Sequence, residues 1–120
     1  MTGSAADPIW LAIRMETTEN TQKEPMLASF FHTIIINHKT LEDALSFLLA
    51  SKLGSTTLPP IGLRELIDEA FEGDAGIREA IRADISAVFD RDPACLQYCW
   101  PLLYFKGFQA LQAYRASHYF

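Results

Sequence analysis

Three times in this chain an acidic residue stands directly before a proline: Asp7-Pro8, Glu24-Pro25 and Asp92-Pro93. Proline has no N–H and a fixed φ, so it fits the first turn of an α-helix and disrupts the interior of a helix or sheet. A preceding acid can accept the free N–H groups of that turn and suits the helix dipole. The pairs therefore read as helix starts, and the residues after them agree. Ile9, Trp10 and Ile13 form a short apolar stripe after Pro8 and give way to the polar TTENTQ. After Pro25 the run MLASFFHTIIINH is apolar on almost every side. Within it Thr33 to Ile36 are β-branched and would suit a strand in isolation, but the proline start and the length favour helix.

The rest of the chain carries the same punctuation. Thr40 opens a helix with Asp43 in the place of a capping-box acid. Leu41, Ala44, Leu45, Leu48, Leu49 and Leu53 then recur at helical spacing until Gly54. STTLPP is a loop. Leu63, Leu66, Ile67, Ala70 and Phe71 mark a further helix closed by Gly73, and Asp74 caps the next, with Ile77, Ile81, Ile85, Val88 and Phe89 on its inner face. Asp92-Pro93 and Trp100-Pro101 divide the remainder into a short helix and a long one. Connections this short join antiparallel neighbours. The fold class is all-α, a multi-helix antiparallel bundle, with residues 1–120 as a single helical domain.

Composition narrows the partners. At 49% hydrophobic and 21% charged the 120 residues suit one compact domain, long enough to bury a core without staples. A formal net charge of −5 with scattered basic residues argues against nucleic acid. Cys95 and Cys99 share a helix face at their spacing of four. They lack the further ligands a metal site wants and are expected as buried free thiols, which fits the reducing cytoplasm. The N-terminus has no basic segment followed by an apolar one, so it is no signal peptide, and no apolar stretch is long enough to span a bilayer.

Chemistry is sparse at this level. There is no Gly-rich phosphate loop, no nucleophile with a histidine nearby in sequence, and no metal-ligand spacing. His32 and His38, on and at the end of an apolar helix, read as packed or capping residues. Nothing in the spacing gives His118 a task. Lys106-Gly107 reads as a packing device: a glycine where another helix approaches closely, beside a lysine whose head reaches solvent. Asp92 admits two readings, a helix cap or a carboxylate presented to a substrate ammonium. A carboxylate has room for both.

EPMLASFFHTIIINHKTLEDALSFLLASKLGS, RDPACLQY and PLLYFKGFQALQAYRASH, in this order, together resemble the N-terminal helical domain of serine O-acetyltransferases. The likeness covers roughly residues 8 to 120. It implies transfer of acetyl from acetyl-CoA to the hydroxyl of L-serine, giving O-acetylserine for cysteine synthesis. In that family a left-handed parallel β-helix follows and supplies the acetyl-CoA groove and the catalytic histidine. The resemblance thus implies no catalytic residue, cofactor site or metal in residues 1–120. It also implies a hexamer of two trimers joined by helical domains, inhibition by L-cysteine in the serine site, and contact with O-acetylserine sulfhydrylase through a C-terminal tail not found here. One residue carries over: Asp92, in RDPA, matches the family aspartate that holds the amino group of serine or cysteine. His118 matches a position in the terminal helix and is not expected to be a catalyst. Hexapeptide repeats are absent, so the sequence is expected to be a domain fragment, inactive alone. A free-standing helical adaptor that binds a protein partner through an apolar groove is the alternative. A small-ligand binder unrelated to acetyl transfer is a third possibility with no compositional support.

Overall fold

A computed structural model describes residues 7–55 and 58–120. Thr56 and Thr57, inside the expected STTLPP loop, lie outside the described residues, as does the N-terminal segment read for a signal peptide up to residue 6. Among the described residues seven α-helices follow in order: α1 (Pro8–Lys23), α2 (Ala28–Phe31), α3 (Leu41–Leu53), α4 (Pro60–Gly73), α5 (Ala75–Arg91), α6 (Cys99–Tyr104) and α7 (Lys106–Tyr119). No strand occurs among the described residues.

Three of the expected caps form where the spacing put them, but Glu24 makes no side-chain cap hydrogen bond before Pro25. The Asp7 side chain accepts from the Trp10 N–H at 3.3 Å, Thr40 from Asp43 at 3.1 Å, and Asp74 from Gly76 at 2.8 Å. Asp43 does not complete a capping box; its carboxylate turns to Arg64 of α4 at 2.6 Å. Helix α1 runs on through TTENTQ, and Thr17, fully buried, returns its hydroxyl to the Ile13 carbonyl at 2.9 Å. A helical threonine can satisfy itself in this way where no outside partner is in reach.

The run after Pro25 is helical, as its length suggested, but not uniformly so. A 3₁₀ turn (Pro25–Leu27) leads into α2, and a π turn (His32–Ile36) follows. The Asn37 N–H reaches back five residues to the His32 carbonyl at 3.0 Å. Ile34 and Ile35 are both buried beside α1. The turn that follows is fastened to α1, with the Trp10 indole N–H donating to the Lys39 carbonyl at 2.9 Å and the Arg14 guanidinium donating to the His38 carbonyl.

Helices α3 and α4 pack along one another, and α7 lies against α4 and α5. Trp10, Ile13, Leu41, Leu45, Leu49, Phe71, Ile81, Ile85 and Leu102 fill the centre. Two leucines of the expected stripes stay outside: Leu53 is 54% exposed and Leu66 43%. With Leu63, Ala113, Ala116 and Phe120 they line an open apolar groove of about 410 Å³ between α4 and α7.

The structure corrects three expectations near the C-terminus. No helix begins at Pro93; Asp92 ends α5, and residues 92–98 form a turn before α6. Pro101 does not separate two helices either, but sits inside the first turn of α6, where its missing N–H costs nothing. The break falls at Phe105, whose extended backbone separates α6 from α7. Finally, Gly107 lies in the first turn of α7, and nothing stands within 4 Å of where its Cβ would be. Within this chain it allows no close approach.

Candidate functional site

Asp92 occupies the junction between α5 and the turn that leads to α6. Its own N–H still belongs to α5, donating to the Val88 carbonyl at 3.0 Å, while its carbonyl accepts from Cys95 at 2.9 Å. One carboxylate oxygen accepts the Ala94 N–H at 2.9 Å. The other makes no hydrogen bond among the described residues. Pro93 disfavours helical backbone in the residue before it, and Asp92 is extended, at φ −100° and ψ 105°. The aspartate does act as a cap, as expected, but of a turn rather than of a helix. The side chain is half-buried, with one oxygen committed to the protein and one available.

The turn is pinned from two directions. Phe89 of α5 stacks on Tyr98, ring centroids 4.1 Å apart and planes 17° from parallel. From α1, Glu16 accepts the Tyr98 and Cys99 N–H groups, one on each carboxylate oxygen, both at 3.0 Å. These are orphan donors at the start of α6. One turn further along α1, Asn20 and Gln97 exchange amide hydrogen bonds at 2.9 and 3.4 Å, and the Trp100 indole N–H donates to the same Gln97 oxygen at 3.2 Å.

Cys95 and Cys99 are both buried free thiols. Burial pushes the Cys95 thiol up, and the carboxylates of Asp92 and Glu16 push it the same way. Burial raises Cys99 far more, with Glu16 adding to the effect. Neither thiol is primed as a nucleophile. No group of three or more histidine, cysteine or acidic residues is arranged to hold a metal among the described residues.

The histidines lie elsewhere in the fold. His38 is buried, its Nδ1 paired with the Ile34 carbonyl at 3.0 Å and its ring 5.1 Å from that of Phe47; it is the packed residue expected. His32 is exposed in the π turn rather than packed. His118 is exposed and pairs with the Tyr114 hydroxyl at 2.8 Å. Lys106 is exposed at the first position of α7. None of these residues hydrogen-bonds to the Asp92 turn among the described residues.

Charge is concentrated a second time where α1, α3 and α5 meet. Arg82 donates to Asp7 at 2.7 Å and to both oxygens of Glu42, one of them at 3.1 Å. Burial works against its charge, but hydrogen bonds and Coulombic attraction from Glu42 and Asp7 prevail and raise its pKa. The adjoining groove of about 530 Å³ is also lined by Lys39, Arg78 and Glu79. The cluster closes on itself and acts as a clamp between helices.

The described residues form an all-helical unit in which the Asp92 carboxylate, on the turn between α5 and α6, has one oxygen bonded to the protein. Residues 9–113 match the family model described as serine acetyltransferase, N-terminal, and the chain belongs to that family. It is 50% identical over 111 residues to the serine acetyltransferase of Haemophilus influenzae, covering 92% of this chain and 42% of that protein. It is 44% identical over 115 residues to a probable serine acetyltransferase 2 of Oryza sativa, covering 96% and 32%. Among solved structures, a truncated serine acetyltransferase apoenzyme superposes with a TM-score of 0.90 at 50% identity, over 92% of this chain and 46% of that one. A serine acetyltransferase complex with cysteine matches at 0.89 and 50%, over 92% and 46%. The Neisseria gonorrhoeae enzyme in complex with serine matches at 0.89 and 43%, over 94% and 47%. The chain thus spans less than half the length of these relatives. No helix among the described residues is long and apolar enough to cross a membrane.

Sequence reasoning singled out Asp92 but not Glu16, Asn20 and Gln97, which hold the end of its turn. No local signal marks them. Glu16 lies 82 residues before the first N–H it holds, in a stretch that reads as the polar tail of a helix.

Proposed function

We propose that residues 1–120 form the N-terminal helical domain of an enzyme that transfers acetyl from acetyl-CoA to the hydroxyl of L-serine, giving O-acetylserine. In this reading Asp92 holds the ammonium of serine, and of L-cysteine when that end product occupies the site. The observation that supports it is the half-committed carboxylate, with one oxygen fixed by Ala94 and the other free. A carboxylate–ammonium contact is charge-assisted and directional, so it selects an amino acid over a plain alcohol. The serine hydroxyl must lose its proton during attack on the thioester, a task for a histidine general base. In this reading, as the family resemblance implies, the base and the acetyl-CoA groove belong to the remainder of the enzyme. The helical domain alone does not catalyse; it joins subunits of a cytoplasmic homo-oligomer. Solved structures of relatives with serine and with cysteine support the ligand class.

The test is Asp92→Asn in the full-length enzyme. The serine KM should rise about tenfold or more, because the charge of a charge-assisted hydrogen bond is removed, while the acetyl-CoA KM stays within about twofold. An unchanged serine KM would overturn the assignment.

A further inference from the structure

We infer that Glu16 is a positioning residue for the serine site, acting through the turn that carries Asp92; this rests on the reading of Asp92 above. The turn leaves α5 at Asp92 and rejoins regular structure at Cys99. Its fastenings from within are clustered at the Asp92 end, where the Cys95 N–H donates to the Asp92 carbonyl and the Ala94 N–H to the Asp92 carboxylate; beyond them the Gln97 carbonyl accepts from the Cys95 thiol and the Trp100 N–H. The far end is held by Glu16, whose two oxygens each take one N–H of the α6 start at equal 3.0 Å distances. A two-pronged carboxylate fixes direction as well as distance. The next residues agree in sense. Asn20 takes hold of Gln97, and Phe89 closes on Tyr98 from the opposite side. Helix α5 holds Asp92 at one end of the turn, and α1, together with Phe89, holds the other; the path between the two ends sets where the open oxygen of Asp92 points. Substrate-contacting groups need their support to hold position within about 0.5 Å. Half-buried Glu16 meets that need with both of its oxygens engaged by the backbone of the turn.

A purely structural Glu16 and a positioning Glu16 differ in one measurable way. General loosening would lower thermal stability and spoil both substrate KM values alike, whereas misdirecting Asp92 would spoil only serine. Glu16→Gln keeps one good acceptor oxygen and Glu16→Ala none, so the effect should be graded. In the full-length enzyme the serine KM should rise about threefold for Glu16→Gln and about tenfold for Glu16→Ala, with the acetyl-CoA KM within about twofold in both. Asp92→Asn is measured alongside. If Asp92→Asn raises the serine KM and Glu16→Gln leaves it unchanged, the inference fails and the reading of Asp92 stands. If neither variant moves it, the reading of Asp92 itself fails. A parallel rise of both KM values in Glu16→Gln makes Glu16 structural only and overturns the inference. Glu16→Gln, which retains shape and one hydrogen bond, carries the decision should Glu16→Ala not fold.

Discussion

Two glycines show how a residue's surroundings decide its effect. A Cβ on Gly54 would lie 2.6 Å from Cγ of Pro60 and 2.8 Å from the Ala50 carbonyl oxygen. The second neighbour is backbone and cannot step aside. Gly54→Ala should therefore cost about 1–2 kcal/mol, as overpacking of a tight contact does. Gly107 meets nothing within 4 Å and has no positive φ. There, Gly→Ala should stabilise by about 0.5 kcal/mol by restricting the unfolded chain. Urea unfolding of the two variants should move the midpoint in opposite directions; a shift of the same sign would contradict the placement of one of them. The expectation of close approach at Gly107 failed because a glycine in sequence records only that a Cβ is missing. Whether it is missing for packing, for a turn or for neither depends on neighbours that the sequence does not order. Asp92 was less legible in its residue type. The acid–proline pair, which Asp7 and Glu24 share, left a cap and a ligand carboxylate both open, and only the resemblance of RDPA to the family motif singled Asp92 out.

Among the elements, three helix caps were legible, while Glu24 caps nothing with its side chain and Asp92 caps a turn. Asp7, Thr40 and Asp74 each sit one residue before a helix and accept an N–H of its first turn. What eluded the sequence were ends made by distant partners. The start of α6 is capped by Glu16 of α1, so nothing near Tyr98 announces it, and the break at Phe105 has no proline or glycine of its own. Buried polar groups hid for the same reason. Gln112, fully buried on α7, donates to Asp84 of α5 at 2.7 Å while Arg115 donates to both. A stripe of apolar spacing cannot foretell such a pairing. The clamp at Arg82 gives a test at this scale. Removing it would leave Asp7 and Glu42 facing each other, their side chains only 14% and 17% exposed. Arg82→Ala should lower stability by about 2 kcal/mol, less than the roughly 3–5 kcal/mol that breaking a fully buried pair costs, because the cluster is partly exposed to solvent. Arg82→Lys should cost less, since it keeps the charge but loses the planar fork. Chemical denaturation measures both, and an Arg82→Ala protein as stable as the parent would show the clamp to be ornamental.

At the scale of the molecule, the all-helical class was readable because every strong signal, proline starts, caps and 3.6-residue stripes, agreed. The division between core and surface was less so. Leu53 and Leu66 continue their stripes in sequence but line the open α4–α7 groove in space, because a helical stripe looks the same whether its last turn faces a neighbour or not. The fold brings α1, α5 and α6 together around one turn, and the account rests on what that turn holds out. Its central claim, that Asp92 meets an ammonium, is tested most directly by removing each partner in turn. In the full-length enzyme, inhibition constants of L-cysteine and of its analogue lacking the amino group are measured in the parent and in Asp92→Asn. The account predicts that the substitution weakens L-cysteine about tenfold or more and leaves the amine-free analogue within about twofold, a coupling confined to the pair. Equal weakening of the two ligands, or of neither, would contradict it.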